Sequence, residues 1–158
     1  MNPQIKTFPH TKFIGKSLAI SYSDYRIAEL WSGFMPRRNE IQNSVGTELY
    51  NIQVNPENFD FNPKTPFMKW AVMAVSNFDT IPDGMEALEI LEGLYAVFHY
   101  KGDQSGAASF FNQIYSVWLP SSDYQLDNRP QFEILGEKYK NNDPNSEEEI
   151  WIPIREKD

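Results

Sequence analysis

The 158-residue chain contains no cysteine. That absence excludes a disulfide scaffold, a thiolate-ligated zinc site and a cysteine nucleophile. Histidine is scarce, with only His10 and His99, and no His-x-His or His-x-x-x-His spacing occurs. A metal centre needs three or more convergent ligands, so no metal is expected. Basic residues are few, with 14 Lys and Arg against 22 Asp and Glu for a net charge of −8. A broad phosphate-binding face is therefore disfavoured, and no direct nucleic-acid partner is expected. No segment approaches the roughly 18 apolar residues of a membrane helix. Residues 1–10 (MNPQIKTFPH) lack the apolar stretch of a secretory signal. These features predict a soluble, cytoplasmic protein with no membrane partner. Neither a Gly-x-Gly-x-x-Gly nor a Walker motif is present, so no cofactor is expected. A Gly-x-Ser-x-Gly elbow is missing too.

What the chain does have is aromatic side chains: 11 Phe, 8 Tyr and 4 Trp, 15% of the residues. Its length suits one domain, residues 1–158, large enough to bury roughly 68–70% of its unfolded surface. An aromatic surplus can line a core, a pocket or an interface.

Hydrophobic periodicity predicts strands over residues 11–23, 47–54, 67–77, 93–100, 131–135 and 149–154. Gly15 is a possible bulge in the first. A helix follows the first strand, with Asp24 as its N-cap and Ile27, Leu30, Trp31, Phe34 and Met35 as its apolar stripe. Pro36 should kink or stop it. A second helix is predicted over residues 107–119, with Phe110, Phe111, Ile114, Tyr115 and Trp118 on one side and Pro120 as its stop. IPDG at 81–84 reads as a turn. Asp83 and Glu86 read as turn and helix-start residues, and Glu147-Glu148-Glu149 as a solvated turn. Arg37-Arg38 suits a solvated helix C-terminus, while Glu40, just past Pro36, is left undecided.

The order strand–helix–strand–strand thus occurs twice. Residues 27–36 (IAELWSGFMP) shifted by 84 meet residues 111–120 (FNQIYSVWLP), aligning Ser32 with Ser116 and Pro36 with Pro120. This predicts an internal duplication with units at about 10–80 and 88–155. Two βαββ units give an α+β fold, helices on one face of an antiparallel sheet. A groove is expected where the units meet.

Candidate ligand-binding aromatics are Trp31, Phe34, Tyr50 and Trp70 in the first half and Tyr95, Phe98, Tyr115, Trp118 and Trp151 in the second. Each is either core or pocket lining; Trp70, Tyr95 and Trp151, on strands, suit a pocket best. Glu133 is the most informative charge. In Gln131-Phe132-Glu133-Ile134-Leu135 it alternates away from Phe132 and Ile134. It faces either solvent or the floor of an aromatic groove, where a desolvated carboxylate attracts a cation.

Several runs carry a family resemblance. Gly93-Leu94-Tyr95-Ala96-Val97-Phe98-His99-Tyr100-Lys101-Gly102 and Ile114-Tyr115-x-x-Trp118-Leu119-Pro120-x-Ser122-x-Tyr124 resemble the second half of a GyrI-like small-molecule-binding domain. Arg129-Pro130-x-Phe132-Glu133, Ile150-Trp151-Ile152-Pro153-Ile154 and Leu30-Trp31-x-x-Phe34-x-Pro36-Arg37 extend the resemblance over residues 10–155. It implies a duplicated βαββ fold with pseudo-two-fold symmetry and a central ligand groove. The family includes effector-binding domains of AraC- and MerR-type transcription regulators and free-standing binders of cationic or aromatic compounds. Its groove glutamate, which meets the ligand's positive charge, corresponds to Glu133. The resemblance implies a free-standing member, since the chain shows no helix-turn-helix segment. The resulting expectation is a binding protein for small apolar or aromatic compounds, cations among them. One alternative is a hydrolase of electrophilic small molecules, with Glu133 as base and Tyr95 or His99 in support. The other is a protein-interaction or transcription-related regulator with a protein partner and no DNA-binding domain of its own.

Overall fold

A computed structural model describes residues 1–140 and 143–158. Strands β1 (Gln4–Phe8), β2 (Thr11–Ile20), β3 (Leu49–Val54), β4 (Phe67–Val75), β5 (Glu86–Ile90), β6 (Gly93–Lys101), β7 (Tyr124–Leu126), β8 (Gln131–Leu135) and β9 (Glu147–Glu156) form an antiparallel sheet. Helices α1 (Ile27–Phe34) and α2 (Ala107–Gln113) pack on one of its faces. Strand order is β1-β6-β9-β8-β3-β4-β2-β5, with β7 paired to the end of β9. Read from the middle outward, β3-β4-β2 mirrors β8-β9-β6. The two βαββ units therefore meet at the β3–β8 seam, where Asn51 pairs with Glu133. The outermost strands are exchanged, since β1 joins β6 of the second unit and β5 joins β2 of the first.

That exchange forces curvature. β1 and β2 stand six places apart in the sheet, about 29 Å if it were flat at roughly 4.8 Å per strand. Only Pro9 and His10 join them, a link that spans at most about 11 Å. The sheet therefore curls, and its two edges meet where His10 Nε2 and Glu89 Oε2 lie 2.6 Å apart. One face is enclosed by this curl. It holds Phe8, Phe13, Ile52, Trp70, Val72, Tyr95, Phe132 and Trp151, all buried. Burying each of these large side chains contributes roughly 1.5–3 kcal/mol. The other face is covered by α1 over Ile14, Ala71 and Val75, and by α2 over Ala96, Phe98 and Ile152.

Local details differ from expectation in instructive ways. Helix α1 starts at Ile27 with Arg26 at its N-cap and no side-chain cap; Asp24 instead accepts Arg26 Nε at 3.2 Å. After Phe34 the chain tightens into a 3₁₀ turn, Met35–Glu40, around Pro36. Helix α2 runs into a wide π turn, Ile114–Trp118, and a last helical turn, Leu119–Ser121. Pro120 has no N–H to continue the regular ladder, and the widened turn before it accommodates its ring. Gly15 is no bulge: its pairing with Val72 and Glu86 is unbroken. A Cβ there would lie 2.0 Å from the Ala71 carbonyl oxygen, so close backbone approach is what requires glycine. Strands β1, β5 and β7 were not anticipated. Glu86 opens β5 rather than a helix, and Glu147-Glu148-Glu149 forms the start of β9 rather than a solvated turn.

Candidate functional site

The helix-covered face is apolar under each helix and polar between them. Cross-strand register puts Gln53 beside Lys69 and Gln131, and Asn51 beside Ala71 and Glu133. Glu133 in turn pairs with Ile150, so Glu148, two residues earlier on β9, shares this face. Along the seam the sheet thus presents Lys69, Gln53, Asn51, Gln131, Glu133 and Glu148. A shallow concavity is lined here by Asn51, Lys69, Gln131, Glu133, Ile150 and Phe111.

Aromatic side chains cover it. Tyr22 and Tyr25 come from the β2–α1 connection and stack on each other at 6.4 Å. Phe59 and Phe61 come from the β3–β4 connection; Phe59 meets Tyr22, and Phe61 meets Tyr115 of the second unit at 6.1 Å. Phe111 and Tyr115 stack on the α2 side. Tyr22, Tyr25 and Phe61 are 44–46% exposed, so this is an aromatic surface over a charged floor. Hydrogen bonds tie cover to floor: Gln53 Nε2 donates to the Tyr22 hydroxyl at 3.0 Å, and the Tyr115 hydroxyl donates to Gln131 Oε1. The side chains leave no free space the size of a water molecule there.

The floor's electrostatics follow from burial. Lys69 is only 4% exposed. Its ammonium donates to Gln53 Oε1 at 3.0 Å and lies 5.9 Å from the centre of the Tyr25 ring. Loss of solvent pulls its pKa down, and the charge of Glu133 opposes that shift. Burial first, and then the charge of Glu133, pushes the Glu148 carboxyl up to about 9. At neutral pH Glu148 therefore keeps its proton. The Tyr25 hydroxyl turns inward, where burial and then Glu133 push it up to about 12. The side-chain oxygen of Asn51 is buried with no hydrogen-bond partner among the described residues.

Of the candidate ligand-binding aromatics, Tyr115 reaches this site through its hydrogen bond to Gln131, and the others lie elsewhere. Tyr50, Trp70, Tyr95 and Trp151 alternate to the enclosed face; Phe132 stacks on Trp151 at 5.4 Å, and Phe8 packs edge-on to Tyr95 and Trp151. Trp31 and Phe34 pack α1 against the sheet, in contact at 5.8 Å. Trp118 packs on Phe98 at 5.2 Å under the second helix. Glu133 does line it, with Phe111 from the α2 stripe. Sequence reasoning missed Lys69, Glu148, Asn51, Tyr22 and Tyr25. Two of these had a signal. Glu148 is in phase with Ile150, Ile152 and Ile154, and Lys69 is a lone charge inside the apolar run FMKWAVMAV.

Several other charges are paired locally, while Arg129 Nη1 is buried without a hydrogen-bond partner among the described residues. Arg37 and Glu40 pair at 2.8 Å, with Arg37 also donating to the Asp83 carbonyl. His99 pairs with Glu147 at 2.8 Å, and no cluster of metal-ligating side chains occurs among the described residues. A second cavity, about 240 Å³, opens near Tyr95, Ile90, Leu91, Arg129 and Pro130. There Arg129 lies over the Tyr95 ring and is held by Asp127 and the carbonyls of Leu94 and Ile154.

A duplicated antiparallel sheet, helix-covered on one face, with charged groups under aromatic side chains at the seam of its halves, has the architecture of a small-molecule-binding domain. The chain belongs to the GyrI-like small molecule binding domain family, whose model matches residues 1–155. The transcriptional regulator BrlR of Pseudomonas aeruginosa is 28% identical over 156 residues, which are 98% of this chain and 56% of BrlR. The chain thus spans little more than half the length of that relative. SAV2435, solved bound to tetraphenylphosphonium, superposes with a TM-score of 0.72 at 14% identity over 98% of this chain and 94% of that one. EcmrR, solved in complex with DNA, superposes with a TM-score of 0.74 at 14% identity over 99% of this chain and 58% of that one. No helix is long and apolar enough to cross a membrane among the described residues.

Proposed function

We propose that the chain binds small aromatic compounds, cations among them, in the seam concavity. Glu133, with Glu148 beside it, supplies the negative charge, and Tyr22, Tyr25, Phe111 and Tyr115 supply faces on which a flat ligand stacks. The observation that supports this reading is the position of Glu133: half-buried, it borders the concavity together with Phe111. Negative charge next to aromatic faces attracts a poorly hydrated organic cation twice, through the carboxylate and through the ring quadrupoles. The aromatic lipophilic cation bound to the structural neighbour SAV2435 is of this chemical class.

The test is calorimetric. Tetraphenylphosphonium and neutral triphenylphosphine oxide are titrated into the wild type and Glu133→Gln. Affinity for the cation should fall about tenfold or more in the variant, while the neutral compound changes less than twofold. Equal losses for both compounds in a folded variant would overturn the charge-pairing role.

A further inference from the structure

The floor of the concavity is not uniformly acidic. By the symmetry of the sheet, Lys69 on β4 and Glu148 on β9 occupy equivalent positions. Each lies two residues from the strand partner of the seam pair, Ala71 beside Asn51 and Ile150 beside Glu133. One unit therefore places a cation where the other places a carboxyl group.

Lys69 is a buried charge with incomplete satisfaction. An ammonium has three N–H donors. One goes to Gln53 Oε1, a neutral amide, and the ring of Tyr25 faces the group. No carboxylate oxygen lies within 4.0 Å of Lys69 Nζ among the described residues. Buried lysines are rarely left so, because an uncompensated buried charge is expensive. Lys69 and Glu133 border the same concavity. Their backbones stand two strands and two residues apart, roughly 12 Å at about 4.8 Å per strand and 3.4 Å per residue.

We propose that Lys69 forms an anion subsite, and that the preferred ligand is amphoteric. Its cationic aromatic part sits against Glu133 and its carboxylate or sulfonate oxygen accepts from Lys69. The inference rests on the binding reading above and narrows its ligand class. An anionic ligand oxygen supplies the countercharge that the protein withholds from Lys69, and takes donors that Gln53 leaves free. A ligand N–H or O–H near Asn51 would also meet an acceptor that has no partner inside the chain.

Two styrylpyridinium dyes with one chromophore test this. The first carries an N-methyl group and is a cation; the second carries an N-sulfopropyl group and is a zwitterion. Both are titrated by fluorescence enhancement into the wild type, Lys69→Met, Lys69→Gln and Glu133→Gln. The zwitterion should bind the wild type about tenfold more tightly than the cation. Lys69→Met should remove that preference and improve binding of the cation. Lys69→Gln keeps a neutral donor and serves if the methionine variant does not fold. Equal or weaker binding of the zwitterion by the wild type overturns the anion subsite while leaving the cation site intact. A preference that survives in both Lys69 variants overturns it too. If neither dye binds, the binding reading falls and this inference with it.

Discussion

The carboxyl groups of Glu133 and Glu148 share one face of the β8–β9 ladder, and Glu133 borders the same depression as Lys69. The diagonal register of the two strands, Glu133 opposite Ile150 and Glu148 two residues away, brings them together. Two carboxylates so placed cannot both ionise cheaply once water is excluded. Glu148 therefore keeps its proton at neutral pH, and the site carries less negative charge than its composition suggests. A cation bound as proposed would favour loss of that proton and so link binding to pH.

That proton has a consequence for stability. Glu148 is raised from the usual 4.5 to about 9 in the folded chain. Between those values the folded state binds more protons than the unfolded one, so this group makes stability fall as pH rises. Below about 4.5 both states are protonated and the penalty is absent. Glu148→Gln keeps a hydrogen-bond donor toward Glu133 but cannot ionise. It should be more stable than the wild type by roughly 1–3 kcal/mol at pH 8 and no more stable at pH 4. Urea melts at several pH values measure this, and identical pH slopes for the two proteins would refute the raised Glu148 carboxyl.

Trp151 and Tyr95 test which face of the sheet is which. Both lie in the enclosed aromatic cluster, and the Tyr95 hydroxyl donates to the Pro130 carbonyl at 2.8 Å. Trp151→Ala should cost roughly 3–5 kcal/mol, as expected for emptying a well-packed aromatic position. Tyr95→Phe should cost about 1 kcal/mol through the lost hydrogen bond. In Tyr95→Phe, which stays folded, affinity for tetraphenylphosphonium should remain within twofold of the wild type. A tenfold loss of affinity at unchanged stability would move the ligand to the enclosed face.

The contrast between these residues and Glu133 shows how far sequence patterns reach. Alternation within a strand is local, so Glu133 separates from Phe132 by reading five residues, and the strand order within each unit follows from repeated patterns. Which face is enclosed is not local. It depends on β1 crossing to β6 and on two residues tying it back to β2. Both β1 and β5 are short edge strands with mostly exposed side chains, so they carry weak periodicity. Without them the sheet looks flat, and Trp70 and Trp151 look like pocket walls. The acidic run 147–149 was misleading for a different reason. Charge clustering suggests solvent, but the in-phase isoleucines after it carry Glu148 onto the helix-covered face. Tyr22, Tyr25, Phe59 and Phe61 lie in connections, where no periodicity exists to aim a side chain.

Those connections make a last prediction about access. Phe61 has φ 57°, a conformation that L side chains seldom adopt, and it carries the aromatic cover across the seam to Tyr115. Strain of this kind costs on the order of 1 kcal/mol and persists where surrounding contacts hold it. Phe61→Gly removes the ring and relieves the backbone at once, so the lost contact and the relieved strain oppose each other. Global stability should change by less than about 1 kcal/mol. Access should change more, because the free protein leaves no space for a ligand beneath the cover. Stopped-flow fluorescence with the N-methyl styrylpyridinium dye should show association and dissociation both several-fold faster in the variant. Unaltered rates in a folded Phe61→Gly protein would mean that the ligand enters past some other side chain and that this part of the cover does not gate the site.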